Sequence, residues 1–417
     1  MSESLLGPTP RTDKARGGEP GLALSIFRAA LRRVSGDWIG PSVAIHTPRG
    51  EVLRLGNGAG YELSIRIRSF SCIRRVVAAG DIGFAEGYMA GEWDTPDLAR
   101  LLTVLADNFD GLKRLSVGGP AAQLANVVGS LFRRNTIAGS RRNIYAHYDL
   151  GNAFYEAWLD PGMTYSSALY GGQDQDLEAA QTAKYARLAE AIGLQPGHEV
   201  LEIGCGWGGF ATFAARAYGA RVVGLTISAA QHAYAVERIR REGLEHLVEI
   251  RLADYRTVGG AFDRVVSIEM FEAVGEQYWP AYFNQVRARL KPGGRAGLQI
   301  ITVRDDLFAH YRKRIDFIQK HIFPGGLLPG ESRLGEEIAR AGLTWDSTRR
   351  FGQDYARTLN VWSHRFDAAW PRLRLQGFDE RFRRRWAFYL AYCEAGFATG
   401  RTDVIQAVLA RPGDAAD

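Results

Sequence analysis

Val200-Leu201-Glu202-Ile203-Gly204-Cys205-Gly206-Trp207-Gly208-Gly209 decides the reading of this chain. An apolar run of strand character enters a glycine cluster and leaves into a helical pattern at 208–218. Working outward, further strand-like runs stand at RVVGLT (221–226), VEIRL (248–252), FDRVVSI (262–268) and AGLQIITV (296–303). Helical stretches at 229–242 and 278–290 separate them. Strands alternating with such helices predict a parallel sheet covered on both faces, an α/β fold. After 304 the chain turns helical and aromatic. A helix near 331–342, an extended piece near 344–350 and long helices near 353–373 and 378–398 follow.

The glycine cluster carries chemistry as well as a turn. Glycine permits unusual backbone angles and close approach of a ligand, and the following helix start offers unpaired N–H groups. The string reads GCGWGG, with its third glycine one residue early for a dinucleotide fingerprint. That points away from NAD and towards a loop for S-adenosylmethionine (SAM). Gly224-Leu225-Thr226-Ile227-Ser228 ends the second strand with Thr226 where an acid is common. Gln231 follows one turn into the next helix, so ribose contacts would come from neutral groups. Asp254-Tyr255 follows the third strand and is placed to meet the adenine. Cys205 is read as a small loop residue without a nucleophilic role.

The 417 residues carry 52 Lys+Arg against 46 Asp+Glu, a net +6, with 46% hydrophobic and 24% charged residues. This excludes wholesale disorder, a collagen-like repeat and a coiled coil. Only six of the basic residues are Lys. Between Gly111 and Tyr148 there is no Asp or Glu, while Lys113, Arg114, Arg133, Arg134, Arg141 and Arg142 together account for the whole surplus. Such a zone predicts a surface for phosphates or anionic lipid. Cys72, Cys205 and Cys393 form neither a disulfide framework nor a CxxC metal pair, so no metal is expected and a reducing compartment is the default. No signal peptide and no apolar run of 18 residues is present. The expected location is cytoplasmic, with any membrane work done peripherally from the inner face.

Upstream of the sheet, residues 1–20 read as a disordered tail and 21–35 as a short amphipathic helix. Residues 42–70 read as two or three antiparallel strands, and 71–108 as helices broken at Gly80 and around Gly91. The expected organisation is a small α+β N-terminal domain (21–110), a basic linker or surface helix (111–145), and a catalytic domain (146–417).

Spaced motifs in order, His147-Tyr148-Asp149-Leu150-Gly151-Asn152, Met163-Thr164-Tyr165-Ser166-Ser167-Ala168, the glycine loop, Ile268-Glu269-Met270-Phe271-Glu272-Ala273-Val274-Gly275 and Ile322-Phe323-Pro324-Gly325-Gly326, closely resemble the cyclopropane-fatty-acyl-phospholipid synthase family, which includes the mycolic acid methyltransferases. The resemblance runs from about residue 40 to the C-terminus and includes GDIGFAEGYMAGEWD (80–94), a segment that full-length phospholipid-acting members carry, so it implies that the N-terminal domain (21–110) is lipid-associated and that the catalytic domain (146–417) holds an acyl-chain tunnel. It implies a Rossmann-like class I SAM methyltransferase domain. The implied chemistry is attack of a cis double bond in a phospholipid acyl chain on the SAM methyl, giving a carbocation. A base then removes a proton: loss from the transferred methyl closes a cyclopropane, and loss elsewhere leaves a methyl or methylene branch. The resemblance places Tyr165, Ser166, Gly204, Gly206, Thr226, Ile227, Gln231, Asp254 and Tyr255 on SAM. A bicarbonate base would be held by Glu272, the amide near Ile301 and Tyr355, with Ser167 at the family's Cys position and Gln299 at its His position. Ser167 keeps a hydroxyl donor, and Gln299 can donate as a neutral amide but cannot carry charge. Cyclopropane is the expected product, and these two departures open a methyl- or methylene-branched chain as the alternative. The resemblance also allows a homodimer.

Residue types fit this reading independently. A carbocation needs π faces and a dry pocket. The span 271–366 is rich in aromatics, of which most are expected in the core and a few along an acyl tunnel. Two other classes compete: a methyltransferase for a small molecule or RNA, and a non-catalytic lipid-binding scaffold. The stacking motifs of RNA modules are absent, so no nucleic-acid partner is expected. The intact glycine, Tyr-Ser and Glu272 positions argue against a scaffold.

Overall fold

A computed structural model describes residues 28–29, 31, 35–56, 62–109, 112 and 150–413. The tail, most of the 21–35 segment, and all six residues of the basic zone, with His147, Tyr148 and Asp149, lie outside the described residues.

The larger unit is built on a seven-stranded sheet in the order β10-β11-β9-β8-β5-β6-β7. Its strands are β5 (Glu199–Ile203), β6 (Arg221–Thr226), β7 (Val248–Leu252), β8 (Phe262–Ile268), β9 (Leu290–Val303), β10 (Thr344–Arg350) and β11 (Thr402–Ala410). β5 to β9 run parallel, and β11 lies antiparallel between β9 and β10. Helices α5 (Gly209–Tyr218), α6 (Ala229–Arg241) and α7 (Trp279–Arg289) follow β5, β6 and β8. This is the Rossmann-like class I methyltransferase arrangement. Strand order reverses beside β5, so its carboxyl end and that of β8 open onto a crevice. The core strands are apolar on both faces, as parallel strands between helical layers must be: Val200, Leu201, Val265, Val266 and Leu298 are all buried. The sequence reading did not separate out β11. Its run TDVIQAVLA has no flanking crossover helix, and it pairs in the sheet only because the chain returns from α12 (Glu380–Ala398).

The smaller unit has a four-stranded sheet in the order β2-β1-β3-β4: β1 (Val43–His46), β2 (Val52–Leu55), β3 (Leu63–Ile67) and β4 (Trp93–Asp94). β1 and β2 form the expected antiparallel hairpin, but β3 pairs with β1 in parallel. β3 runs antiparallel to β2, as in a meander, yet crosses to the far side of β1. There the buried Ile65 and Ile67 join Val43 and Ile45 in one core. Helix α1 (Ser71–Met89) is broken at Gly80 (φ 57°, ψ −129°), and α2 (Leu98–Asp107) is capped by Asp97, whose carboxylate accepts the Arg100 N–H at 3.0 Å.

Arg384 of α12 joins the two units. Its guanidinium donates to the carboxylate of Asp94 and the carbonyl of Trp93, both at 2.7 Å, and to the carbonyl of Tyr88, while stacking 4.0 Å from the Tyr88 ring centroid. Arg384 is only 15% exposed, so truncation leaves Asp94 and two carbonyls poorly paired. Arg384→Met is expected to destabilise the protein by about 1–3 kcal/mol and to expose the α1–α2 region to limited proteolysis. An unchanged melting temperature and digestion pattern would show that the docking does not depend on this contact.

Candidate active site

A single cavity of about 690 Å³ opens at the carboxyl ends of β5, β6, β7 and β8. The glycine loop forms its floor. Gly204 (φ 82°) could not bear a side chain, since a Cβ there would lie 2.6 Å from Met270 Cγ, whereas a Cβ at Gly206 (φ 53°) would meet nothing within 4 Å. The loop is therefore braced on one side and open to a ligand on the other. Thr226 ends β6 and donates to Gln231 Oε1 at 2.9 Å, and Ser228 caps α6. Asp254 lies two residues past β7 and is held by a bidentate pair with Arg256, at 2.8 and 2.7 Å. Tyr165, Ser166, Gly204, Gly206, Thr226, Ile227, Gln231, Asp254 and Tyr255 all line the cavity. Glycine backbone, neutral donors and acceptors, and an aromatic beside a carboxylate fit a nucleoside with an amino-acid tail. When bound, SAM supplies an electrophilic methyl group.

Further in, the five residues expected around a bicarbonate come together, but differently from expectation. Glu272, Ile301 and Tyr355 line the cavity, whereas Ser167 and Gln299 are fully buried behind it. Between them stands Glu269. Its Oε1 accepts from the Ser167 backbone N–H at 2.8 Å and from Gln299 Nε2 at 2.7 Å, and its Oε2 accepts from the Tyr355 hydroxyl at 2.7 Å. The Ser167 hydroxyl turns away to the Ala168 carbonyl. The Ile301 N–H donates to Glu272 Oε1 at 2.6 Å, while Glu272 Oε2 is buried without a hydrogen-bond partner. The donors expected around a bicarbonate are engaged by two carboxyl groups of the chain itself.

Glu269 adopts φ 50°, and only Met163 among the other described non-glycine residues is positive. A bulky residue there costs on the order of 1–3 kcal/mol and persists only where its surroundings over-determine it. The surroundings do so here. The register pairs Ile268 with Gln299, and the Glu269 N–H donates to the Gln299 carbonyl at 2.8 Å. Gln406 on β11 donates to Gln299 Oε1 at 3.1 Å, which turns the Gln299 amino group to Glu269. Asp354 and Thr358 on α11 (Gly352–Leu375) pin the 168–171 segment through the N–H groups of Tyr170, Gly171 and Ala168.

Electrostatics separate the two carboxyls. Burial raises Glu269 above the ordinary range, opposed by its three donors and by Lys184. Burial, and then repulsion from Glu269, push Glu272 up to about 8, so Glu272 is protonated at neutral pH. Lys184 is itself fully buried and lowered to about 7 by desolvation, and donates to Ser166 Oγ at 2.6 Å. Sequence reasoning gave no role to Glu269, Lys184 or Gln406. Glu269 lies just beyond the carboxyl end of β8, where ligands bind in such sheets. Nothing in the sequence marked Lys184 or Gln406. Of the aromatics in 271–366, Tyr311, Phe317 and Phe323 line the cavity, while Trp279, Tyr282, Phe283, Trp362 and Phe366 are core.

Residues 136–407 match the family described as mycolic acid cyclopropane synthetase. The chain belongs to that family. It is a SAM-dependent C-methyltransferase. It is 42% identical over 352 residues to the tuberculostearic acid methyltransferase of Mycobacterium tuberculosis, covering 82% of this chain and 81% of that one. It is 37% identical over 358 residues to the cyclopropane-fatty-acyl-phospholipid synthase of Escherichia coli, covering 83% and 87%. Among solved structures, mycolic acid cyclopropane synthase CmaA1 complexed with SAH and CTAB superposes with a TM-score of 0.61 at 32% identity, covering 65% of this chain and 98% of that one.

Gly204→Val is expected to abolish SAM binding, because the added carbons meet Met270 and the backbone needs positive φ. Calorimetric titration with SAM reads this directly, and retained affinity would rule out the loop as the cofactor floor.

Proposed function

We propose that this enzyme transfers the SAM methyl to the cis double bond of an unsaturated phospholipid acyl chain, with the Glu269 carboxylate as the base that takes the released proton. The observation that carries this reading is the ring of donors, Ser167 N–H, Gln299 Nε2 and Tyr355 hydroxyl, closed on Glu269 rather than on a free anion. A carboxylate fixed to the chain needs no bicarbonate. Its donors keep it ionised and aimed, and its raised affinity for a proton suits a base. Glu272, neutral beside it, adds no second negative charge. The alkene π pair forms the new C–C bond to the methyl carbon, the S–CH₃ bond breaks, and a cation is left on the neighbouring carbon. Faces of Tyr165, Tyr389 and Phe397 in a buried chamber suit that cation.

The product depends on where the cation rests. Ring closure with loss of a methyl proton gives cyclopropane. A 1,2-hydride shift first, then loss of a methyl proton, gives a methylene branch. The higher identity to the M. tuberculosis relative, together with Ser167 and Gln299 at the family's Cys and His positions, makes the branched chain our first reading. Ring closure is the second, supported by the family description and the E. coli relative. We further propose that the protein works as a peripheral protein on the inner membrane face. Among the described residues no helix is long and apolar enough to span a bilayer, and the basic zone 111–145 suits anionic headgroups.

Mass spectrometry of fatty acid methyl esters, after incubation with SAM and vesicles of cis-monounsaturated phospholipid, decides. A gain of one CH₂ with unsaturation retained means a branch; with unsaturation lost, a ring; no gain sinks the proposal. Glu269→Gln should lower kcat by about 10²-fold or more with SAM affinity unchanged. Glu272→Gln, which mimics a carboxyl already protonated, should stay within about threefold. Since Glu269 acts ionised and its affinity for protons is raised, kcat/KM should fall on acidification at a pH above the ordinary glutamate range and be fully present above it. A flat profile, or wild-type rates in Glu269→Gln, would remove Glu269 from the reaction. Neutralising Arg133, Arg134, Arg141 and Arg142 together should weaken co-sedimentation with anionic vesicles while sparing SAM affinity; unchanged retention would leave the zone a plain linker.

A further inference from the structure

The cavity does not end at the reaction chamber. It passes Phe317 and Phe388 into the smaller unit, where its walls are Ile65 and Ile67 of β3, Ile73 of α1, and Leu102, Leu105 and Ala106 of α2. An α+β unit of this size ordinarily fills the space between sheet and helices with its own side chains. Here several of those core side chains also border the cavity that reaches the site of chemistry. The break in α1 contributes: Gly80 and Asp81, where the helix unwinds, lie on the cavity wall. Where the two units meet, the lining also carries exposed charged groups. Arg314 is 3.3 Å from His310 and 3.7 Å from Asp81, and all three are exposed while still lining the cavity.

The lining thus has an exposed polar rim at the junction, an apolar branch into the smaller unit, and a branch into the larger unit that ends at the carboxyls of Glu269 and Glu272. A single-chain substrate leaves one branch empty. A molecule with one polar head and two hydrocarbon chains matches all three parts. We propose that the branch in the smaller unit receives the second, non-reacting chain of a diacyl phospholipid, with its head at the Asp81–His310–Arg314 rim. The proposal rests on the lipid reading above. It gives the smaller unit a direct part in substrate selection: intact diacyl lipid is preferred over free fatty acids or single-chain thioesters.

Two photoreactive phospholipids test it, each with a saturated sn-1 chain and a cis-monounsaturated sn-2 chain. One carries a diazirine midway along the saturated chain, the other near the methyl end of the unsaturated chain. Both are presented in vesicles to the full-length protein, and labelled peptides are mapped by mass spectrometry. The first probe should label residues 63–67 and 98–107, and the second the larger unit. The reverse pattern, which would mean that the far end of the reacting chain fills the branch, overturns the proposal. So does a first probe that labels only the larger unit. Labelling needs no turnover, so a chain that labels as expected but methylates nothing fails the functional reading and not this one. In turnover, Ala106→Phe should lower the rate on diacyl lipid at least about tenfold while leaving the rate on the single-chain lysophospholipid within about twofold. SAM affinity serves as the control for folding. Equal effects on both substrates with SAM affinity intact, or no effect on either, would count against the branch.

Discussion

The buried carboxylate of Glu269 is the point on which the site depends. An ionised carboxyl removed from water costs several kcal/mol unless its oxygens are satisfied, and here satisfaction is assembled from distant parts of the chain. Ser167 supplies a backbone N–H, Gln299 a side-chain amide and Tyr355 a hydroxyl. Each donor is itself held. Gln299 is oriented by Gln406 on the antiparallel strand β11, and the segment after Ser167 is pinned by Asp354 and Thr358 on the same helix as Tyr355. The inserted strand and the long helix α11 therefore do more than complete the sheet and cover it. They aim the partners of one carboxylate.

The same network separates two glutamates three residues apart. Glu269 collects three donors and the field of Lys184, whereas Glu272 receives only the Ile301 N–H and the repulsion of its neighbour. The two carboxyls thus differ through their environment rather than their residue type. The positive φ of Glu269 belongs to the same arrangement, since strain at one residue is tolerable where several contacts fix its direction.

The smaller unit is held to the larger one by charged contacts of the same kind. Arg384 locks it against α12, with Lys320 and His321 of the larger unit meeting Glu86 at 2.7 and 3.2 Å. Side chains of both units line one continuous cavity. A broken helix and a β3 strand crossed to the far side of β1 shape that cavity from backbone geometry more than from side-chain chemistry.

Much of this was legible in one dimension. The glycine loop after an apolar strand, the alternation of strands with helices, and the polar residues closing each strand depend on near neighbours, and local spacing expresses them directly. So the parallel sheet, its crevice and the polar residues lining that end of the cavity were legible in the sequence itself. The roles around Glu269 were not. That residue sits in a quoted motif, yet its importance arises from Ser167, Gln299, Tyr355 and Gln406, which are between 30 and 137 positions away in the chain. Ser167 and Gln299, read as ligands of a free anion, turned out to face a side chain, because a carboxylate one residue past β8 already fills the space between them. Parallel pairing of β3 with β1 and the insertion of β11 were likewise decided in three dimensions. A strand's neighbour is chosen by which apolar faces can be buried together, and that choice is made only when the whole chain has closed.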